Sequence, residues 1–242
     1  MIDPARSFDR SPEAYEATRP SYPDEVLDLV PVADAATVLD LGAGTGKLTR
    51  VLVRRYAEVV AVEPLDGMRA ILERVVPEAR TLPGRAEEIP LPDASVDAVF
   101  AAQAFHWFAN DEALAEIARV LRSGGTFCLV WNAPDETRAS PLPEPFVAYL
   151  GELRAERSAL DPDLRFADVI RRGPFGETHE AGVPHDHVLD RDGLVANASS
   201  VSWIASRDDD ERDAVLARLG SLVPDGTYAV PNVANVLWSV RL

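Results

Sequence analysis

A buried-strand pattern, Val38-Leu39-Asp40-Leu41, runs directly into three glycines at alternate positions, Gly42-Ala43-Gly44-Thr45-Gly46. Lys47–Tyr56 then reads as a helix, and Val59-Val60-Ala61-Val62 ends in the carboxylate Glu63. Strand, glycine turn, helix, strand and terminal acid each have a separate physical job. Glycine, with no Cβ, closes a turn other residues resist and lets the backbone approach a ligand. The helix start beyond it offers unpaired N–H groups and a partial positive charge. An acid about twenty residues on, at the neighbouring strand tip, accepts hydrogen bonds from a ribose diol. The segment is therefore read as a site for a nucleoside-bearing cofactor.

Spacing separates three versions of such a loop. A phosphate-gripping loop needs G-x-x-x-x-G-K-[ST]. Here Leu41 stands five positions before Gly46, and Leu48 follows Lys47, so both ends fail. A dinucleotide fingerprint needs G-x-G-x-x-G, and Lys47 occupies its third glycine position. Gly42-x-Gly44-x-Gly46, with Asp40 just before it, resembles motif I of the class I S-adenosylmethionine-dependent methyltransferases. In that family the loop passes under the methionine and ribose of the cofactor.

Further segments carry the same resemblance. Gly84-Arg85-Ala86-Glu87-Glu88-Ile89-Pro90-Leu91-Pro92-Asp93 is similar to the family's adenine-binding segment, and Ser95-Val96-Asp97-Ala98-Val99-Phe100 to its fourth strand. Gln103-Ala104-Phe105-His106-Trp107-Phe108 is similar to the active-site segment that follows. Upstream, Tyr15-Glu16-Ala17-Thr18-Arg19-Pro20-Ser21-Tyr22-Pro23 resembles the N-terminal signature of small-molecule methyltransferases related to trans-aconitate methyltransferase. The resemblance implies S-adenosylmethionine as cofactor, S-adenosylhomocysteine as product and no metal. It also implies an α/β fold: a Rossmann-like, seven-stranded, mostly parallel sheet with an antiparallel last strand, helices on both faces and a helical substrate-covering insertion.

Bulk composition narrows the partners. A chain of 242 residues with 47% hydrophobic and 26% charged residues suits one globular α/β domain. A formal charge of −16 argues against nucleic acid, whose binding depends on clustered Lys and Arg. The pairs Arg54-Arg55 and Arg171-Arg172 are too small to make a basic track. A small-molecule substrate is expected instead. Cys128 is the only cysteine, so neither an intrachain disulfide nor a thiolate zinc site is expected. Met1-Ile2-Asp3-Pro4-Ala5-Arg6 lacks the apolar core of a secretion signal, and no run approaches a membrane span. A cytoplasmic monomer or homodimer with no membrane partner is the expectation.

Apolar strands alternate with amphipathic helices through the first half. Strands are expected at Thr37–Leu41, Val59–Glu63, Arg80–Leu82, Val96–Ala101 and Thr126–Trp131. Helices are expected at Asp24–Val30, Lys47–Tyr56, Gly67–Val76 and Asp111–Leu121, the last with Asp111 as N-cap and Gly124-Gly125 as stop. That alternation implies a parallel sheet covered on both faces, with ligands outside the carboxyl ends of its strands. After Trp131 the pattern breaks. Helices are expected at Phe146–Ala159, from Phe166, at Asp192–Ala205 and at Asp208–Leu219, with strands at Thr178–Leu189 and Val236–Arg241. The expected division is 1–35 as an N-terminal arm and first helix closing over the cofactor, and 36–132 as the cofactor-binding core. Residues 133–225 are expected to form a substrate-covering insertion with one core strand, and 226–242 the strand completing the sheet.

Glu63 is ionised at neutral pH and is the expected ribose acceptor, with Pro64 beside it. The resemblance places Asp40, Gly42, Ala43 and Gly44 along the methionine and ribose, Met68 on the adenine face, and Ala86 with Glu87 at the adenine edge. It places Gln103 near the methionine or substrate and Tyr15 with Arg19 at the cofactor's carboxylate, which a guanidinium fork meets bidentately. Plainer readings stay open: Asp40 as a cap on the glycine turn, Met68 as core, Arg19 as a surface ion pair. His106, Trp107 and Trp203 are the candidate substrate residues. His106 is also the candidate catalytic residue, since an ordinary histidine suits a general base at neutral pH. In-line binding with water excluded supplies much of the acceleration without one, so a positioning role is equally open. His185-x-His187, with His179 nearby, has metal-like spacing that no other residue completes. The leading expectation is methyl transfer to a carboxylate or hydroxyl oxygen of a small molecule. A non-catalytic S-adenosylmethionine-binding protein is the alternative, and an NAD(P)-dependent oxidoreductase is disfavoured by the glycine spacing.

Overall fold

The computed structural model describes residues 12–157 and 165–242. Helix α1 (Pro12–Thr18) and a short 3-10 helix (Asp24–Leu29) precede β1 (Thr37–Leu41), α2 (Thr49–Arg55), β2 (Glu58–Val62), α3 (Asp66–Val75), β3 (Arg80–Leu82) and β4 (Val96–Ala102). A 3-10 turn (Phe105–Trp107) leads to α4 (Asp111–Val120) and β5 (Leu121–Pro134). Then follow α5 (Glu144–Arg157), α6 (Phe166–Ile170), β6 (His179–Asp190), α7 (Arg191–Ser199), α8 (Ser202–Ala205), α9 (Asp209–Ser221) and β7 (Thr227–Val240). The last two residues of the expected helix Phe146–Ala159 lie outside the described residues, as does the arm before Pro12.

The seven strands form one sheet in the order β3-β2-β1-β4-β5-β7-β6. Strand β1 lies between β2 and β4, parallel to both, while β3 extends the sheet from β2 and β5 from β4, again in parallel. Strand β7 runs the other way. The Gly124 N–H donates to the Arg241 carbonyl, whereas the Asp135 N–H donates to that of Pro231. Rising along one strand therefore means falling along the other.

Pleating sends alternate side chains to opposite faces. Leu39, Leu41, Val99 and Phe127 join Leu114 and Ile117 of α4 on one side. Val38, Phe100 and Cys128 join Leu48, Val51 and Leu52 on the other. Each such large apolar side chain, fully buried, contributes about 1.5–3 kcal/mol. The described residues fall into two compact units. One comprises those in 21–133, 163–183 and 233–242; the other comprises those in 1–20, 134–162 and 184–232. The second has its own core, including Phe146, Leu153, Leu194, Ile204 and Leu219.

Four expectations are corrected. Asp111 is the first helical residue of α4, and the cap is Asn110, whose side chain accepts the Ala113 N–H at 2.8 Å. Gly124-Gly125 does not stop that helix but lies within β5, because Arg241 supplies a backbone partner there. The expected helix Asp192–Ala205 breaks between α7 and α8, where the Ser199 and Ser200 hydroxyls donate back to the Ala196 and Asn197 carbonyls. The last strand begins at Thr227, well before Val236, running through Pro231 and two asparagines that interrupt its alternation.

Candidate active site

The carboxyl ends of β1, β2 and β4 converge on the glycine loop. All three loop glycines have positive φ: 70° at Gly42, 57° at Gly44 and 89° at Gly46. The N–H groups of Gly42 and Ala43 both donate to the Val62 carbonyl, at 2.9 and 3.1 Å, fixing the loop to the tip of β2. A Cβ at Gly42 would lie 2.8 Å from Ala104 Cβ, and one at Gly46 only 2.6 Å from Leu72 Cδ1. At Gly44 it would meet nothing within 4 Å. Gly42 and Gly46 are thus packing glycines, while Gly44 borders open space.

Glu63 stands at that open edge, 5% exposed. Its Oε2 accepts the Gly44 N–H at 2.8 Å and its Oε1 the Leu65 N–H at 2.9 Å. The two amide donors, one to each oxygen, orient the carboxylate. Asp40 is fully buried, and its Oδ2 accepts the Thr49 hydroxyl at 2.6 Å while Oδ1 has no hydrogen-bond partner. Burial pushes its acid up to about 7; Thr49 opposes the rise, and the nearby charge of Glu63 adds to it. Its hydrogen bonds go to the start of α2, not to the glycine turn that the plainer reading would have it cap. Met68 is buried in the first turn of α3, and Pro64 is exposed.

After β3, Ala86 is buried and Glu87 half-buried. Glu87 Oε1 accepts from Asn110 Nδ2 at 3.0 Å, and Arg85 Nε lies 3.6 Å from its Oε2. Burial raises this acid, but the hydrogen bonds and the Arg85 charge outweigh it and hold Glu87 below the usual carboxylate range. Gln103, exposed just past β4, has φ of 51°, a strained value outside glycine. Its Nε2 donates to the Asn132 carbonyl at 3.0 Å, and Asn132 Nδ2 donates to that of Ser21 at 3.2 Å. His106 is half-buried with its ring centroid 4.6 Å from that of Trp107, and burial alone pushes its pKa down to about 4. The adjacent Phe105 is a buried anchor, edge-on to Phe108 at 5.6 Å and Phe127 at 5.5 Å.

The remaining candidates belong to the other unit. Arg19 Nε donates to Ser200 Oγ at 2.8 Å, Nη2 donates to its carbonyl at 2.9 Å, and the guanidinium lies 5.5 Å from the Tyr15 ring centroid. Trp203 packs half-buried against that unit's core. Thr49, Asn110 and Asn132 were not anticipated as site residues. Asn110 carried a signal, since asparagine before a helical run marks an N-cap; the partner of Asn132 comes from distant chain. Among the described residues no cluster of three His, Cys, Asp or Glu has metal-binding geometry. None of their helices is long and apolar enough to cross a membrane.

The chain is similar to known proteins in sequence and in fold. A family model described as a methyltransferase domain matches residues 39–129. The chain is 54% identical to an uncharacterized methyltransferase of Mycobacterium tuberculosis, over 91% of this chain and 87% of that protein. It is 34% identical to an uncharacterized methyltransferase-like protein of Schizosaccharomyces pombe, over 95% and 89%. In fold it is similar to phosphoethanolamine N-methyltransferase 2 of Haemonchus contortus, solved with S-adenosylhomocysteine. That likeness has a TM-score of 0.58 at 15% identity, covering all of this chain and 60% of the other.

Proposed function

Because the chain belongs to the class I S-adenosylmethionine-dependent methyltransferases, we propose that it methylates an oxygen, carboxylate or hydroxyl, of a small-molecule acceptor. The observation carrying the site assignment is the Glu63 bridge, in which one buried carboxylate ties Gly44 to the start of α3 at the loop's open edge. Glu63 accepts the ribose hydroxyls there. Asp40, Gly42, Ala43 and Gly44 lie along the methionine and ribose, with Met68 and Pro64 beside the nucleoside. Glu87, kept ionised and aimed by Asn110, reads the adenine amine alongside the Ala86 backbone. Gln103 serves the methionine end. Assignments of Tyr15 and Arg19 to the cofactor's carboxylate, and of Trp203 to the acceptor, rest on the family resemblance.

Bound S-adenosylmethionine supplies an electrophilic methyl group on a sulfonium. The protein's part is to hold the acceptor oxygen in line and exclude water, a contribution that reaches about 7–11 kcal/mol in well-aligned systems. His106, with its pKa pushed down to about 4, is neutral at pH 7 and too weak to ionise a hydroxyl beforehand. It positions the acceptor and takes a proton only as the bond forms. The charge of −16 supports a small acceptor over a nucleic acid.

Acceptor-dependent release of S-adenosylhomocysteine, measured across a panel of small acids and hydroxyl compounds, tests the proposal. Turnover with at least one member is expected. Cofactor binding with no turnover anywhere in the panel would favour a non-catalytic binding protein.

A further inference from the structure

Residues 84–93, which include Ala86 and Glu87, cross from β3 to β4 with no helix or strand of their own beyond an isolated bridge between Arg85 and Glu88. Backbone polar groups buried in such a stretch have no ladder to join and need partners from elsewhere. Helix α4 supplies them. Ile89 is buried; its N–H donates to Glu116 Oε2 at 2.9 Å, and its carbonyl accepts from Arg119 Nη2 at 2.9 Å. Arg119 Nη1 donates to the Leu91 carbonyl and to Asp93 Oδ1, both at 2.8 Å. Arg119 Nε and Nη2 also grip Glu116 as a fork, at 2.7 and 2.8 Å. All five N–H groups of the guanidinium are thereby committed. The Arg119 carbonyl accepts the Ala94 N–H at 2.9 Å, so this residue holds the segment by side chain and by main chain.

The grip reaches the other end of the segment. A Cβ at Gly84 would lie 2.7 Å from Pro90 Cδ, so the two arms of the loop touch. Close packing passes a shift at 89–91 on to the turn at 85–88. Asn110, the cap of the same helix, holds Glu87 there. Resting on the assignment of Ala86 and Glu87 to the adenine edge, we propose that Arg119, locked to Glu116, is a positioning residue that sets which base the cofactor site accepts.

Glu87 offers only lone pairs when ionised, so it accepts from the amine of adenine and repels the carbonyl that hypoxanthine carries in its place. That difference depends on placement, because a hydrogen bond weakens steeply once its distance and angle are lost. Lysine at 119 would keep the charge but not the planar fork, and its three donors cannot serve five acceptor contacts. Glutamine at 116 would still accept the Ile89 N–H but would lose the charge that holds the fork.

Calorimetric dissociation constants for S-adenosylhomocysteine and S-inosylhomocysteine, its hypoxanthine analogue, test this in wild type, Arg119→Lys and Glu116→Gln. Wild type is expected to prefer adenine by about tenfold or more, the usual penalty for an acceptor left facing no donor. In either variant the preference is expected to fall to about threefold or less, and one folded variant suffices. Val236→Ala, buried on the opposite face of the sheet, is expected to lose stability and keep the wild-type preference. A preference unchanged in the folded variants of the pair, with a lower melting temperature, would make Arg119 a structural clip and overturn the proposal. Failure of both variants to fold overturns it too, as does an equal fall in Val236→Ala, where loss of stability alone would have blunted selectivity. If wild type binds both ligands equally, the adenine assignment beneath the proposal falls with it. If wild type binds neither, the cofactor site itself falls.

Discussion

Gly44 and Gly46 adopt similar left-handed backbones for different reasons. Alanine at Gly44 pays about 1–2 kcal/mol for positive φ but meets no atom within 4 Å. At Gly46 the same strain is joined by a clash with Leu72 Cδ1, adding about 1–3 kcal/mol of overpacking. Gly46→Ala is therefore expected to lose more stability in urea denaturation, and Gly44→Ala to lose more S-adenosylhomocysteine affinity; the reverse order would contradict the loop's division of labour. Asp40 makes a second residue-level test. An unfolded aspartate titrates at about 3.9, and burial pushes the folded Asp40 up to about 7. Between those values the unfolded chain holds fewer protons, so this group's contribution to stability falls as pH rises from about 4 to about 7 and is level above. Asp40→Asn should therefore gain a few kcal/mol over wild type at pH 8 and less at pH 5, in denaturation at both. Equal gains would sink the assignment. His106 has the opposite sign: its depressed pKa means stability lost as pH falls from about 6.5 towards about 4. Its imidazole resonance should titrate below pH 5, and a midpoint above 6 would contradict a buried neutral ring. Glu63 was legible in the sequence as an acid at a strand tip. Its donors, Gly44 and Leu65, were not, because they depend on how the loop closes.

At the scale of elements, local pattern fixed helices and strands well where their ends were also local. Asp66 in the first turn of α3 and Arg74 in its last suit the helix dipole, and the expected helix misses by one residue at each end. Pattern failed where an end depended on distant chain. Gly124-Gly125 reads as a helix stop until Arg241 arrives to pair with it, and Pro231 hides the first half of β7. Asn110 joins two elements, since Oδ1 caps α4 and Nδ2 aims Glu87. Asn110→Ala should cost about 1 kcal/mol for the cap and also weaken S-adenosylhomocysteine binding through the released Glu87. A calorimetric affinity equal to wild type would remove Glu87 from the adenine site.

For the whole molecule, strand–helix alternation implied a parallel sheet and the resemblance an antiparallel last strand, but neither supplied the order of the strands. Nothing local tells β1 to pair with β4 instead of β3. The cofactor was legible because its loop is continuous in sequence. The acceptor was not, because its candidates, His106, Trp107 and Trp203, are scattered single residues with no motif. The central claim is that the Gly44–Glu63 edge holds the ribose of S-adenosylmethionine. Its most direct test is thermal unfolding of wild type and Glu63→Ala with S-adenosylhomocysteine or NAD at a hundred times the wild-type dissociation constant. Such saturation stabilises a fold by about 2.7 kcal/mol, or about 5–10 °C at this size. The account predicts that shift for wild type with S-adenosylhomocysteine, most of it lost in Glu63→Ala, and none with NAD. A shift that survives Glu63→Ala, or one produced by NAD alone, would contradict it.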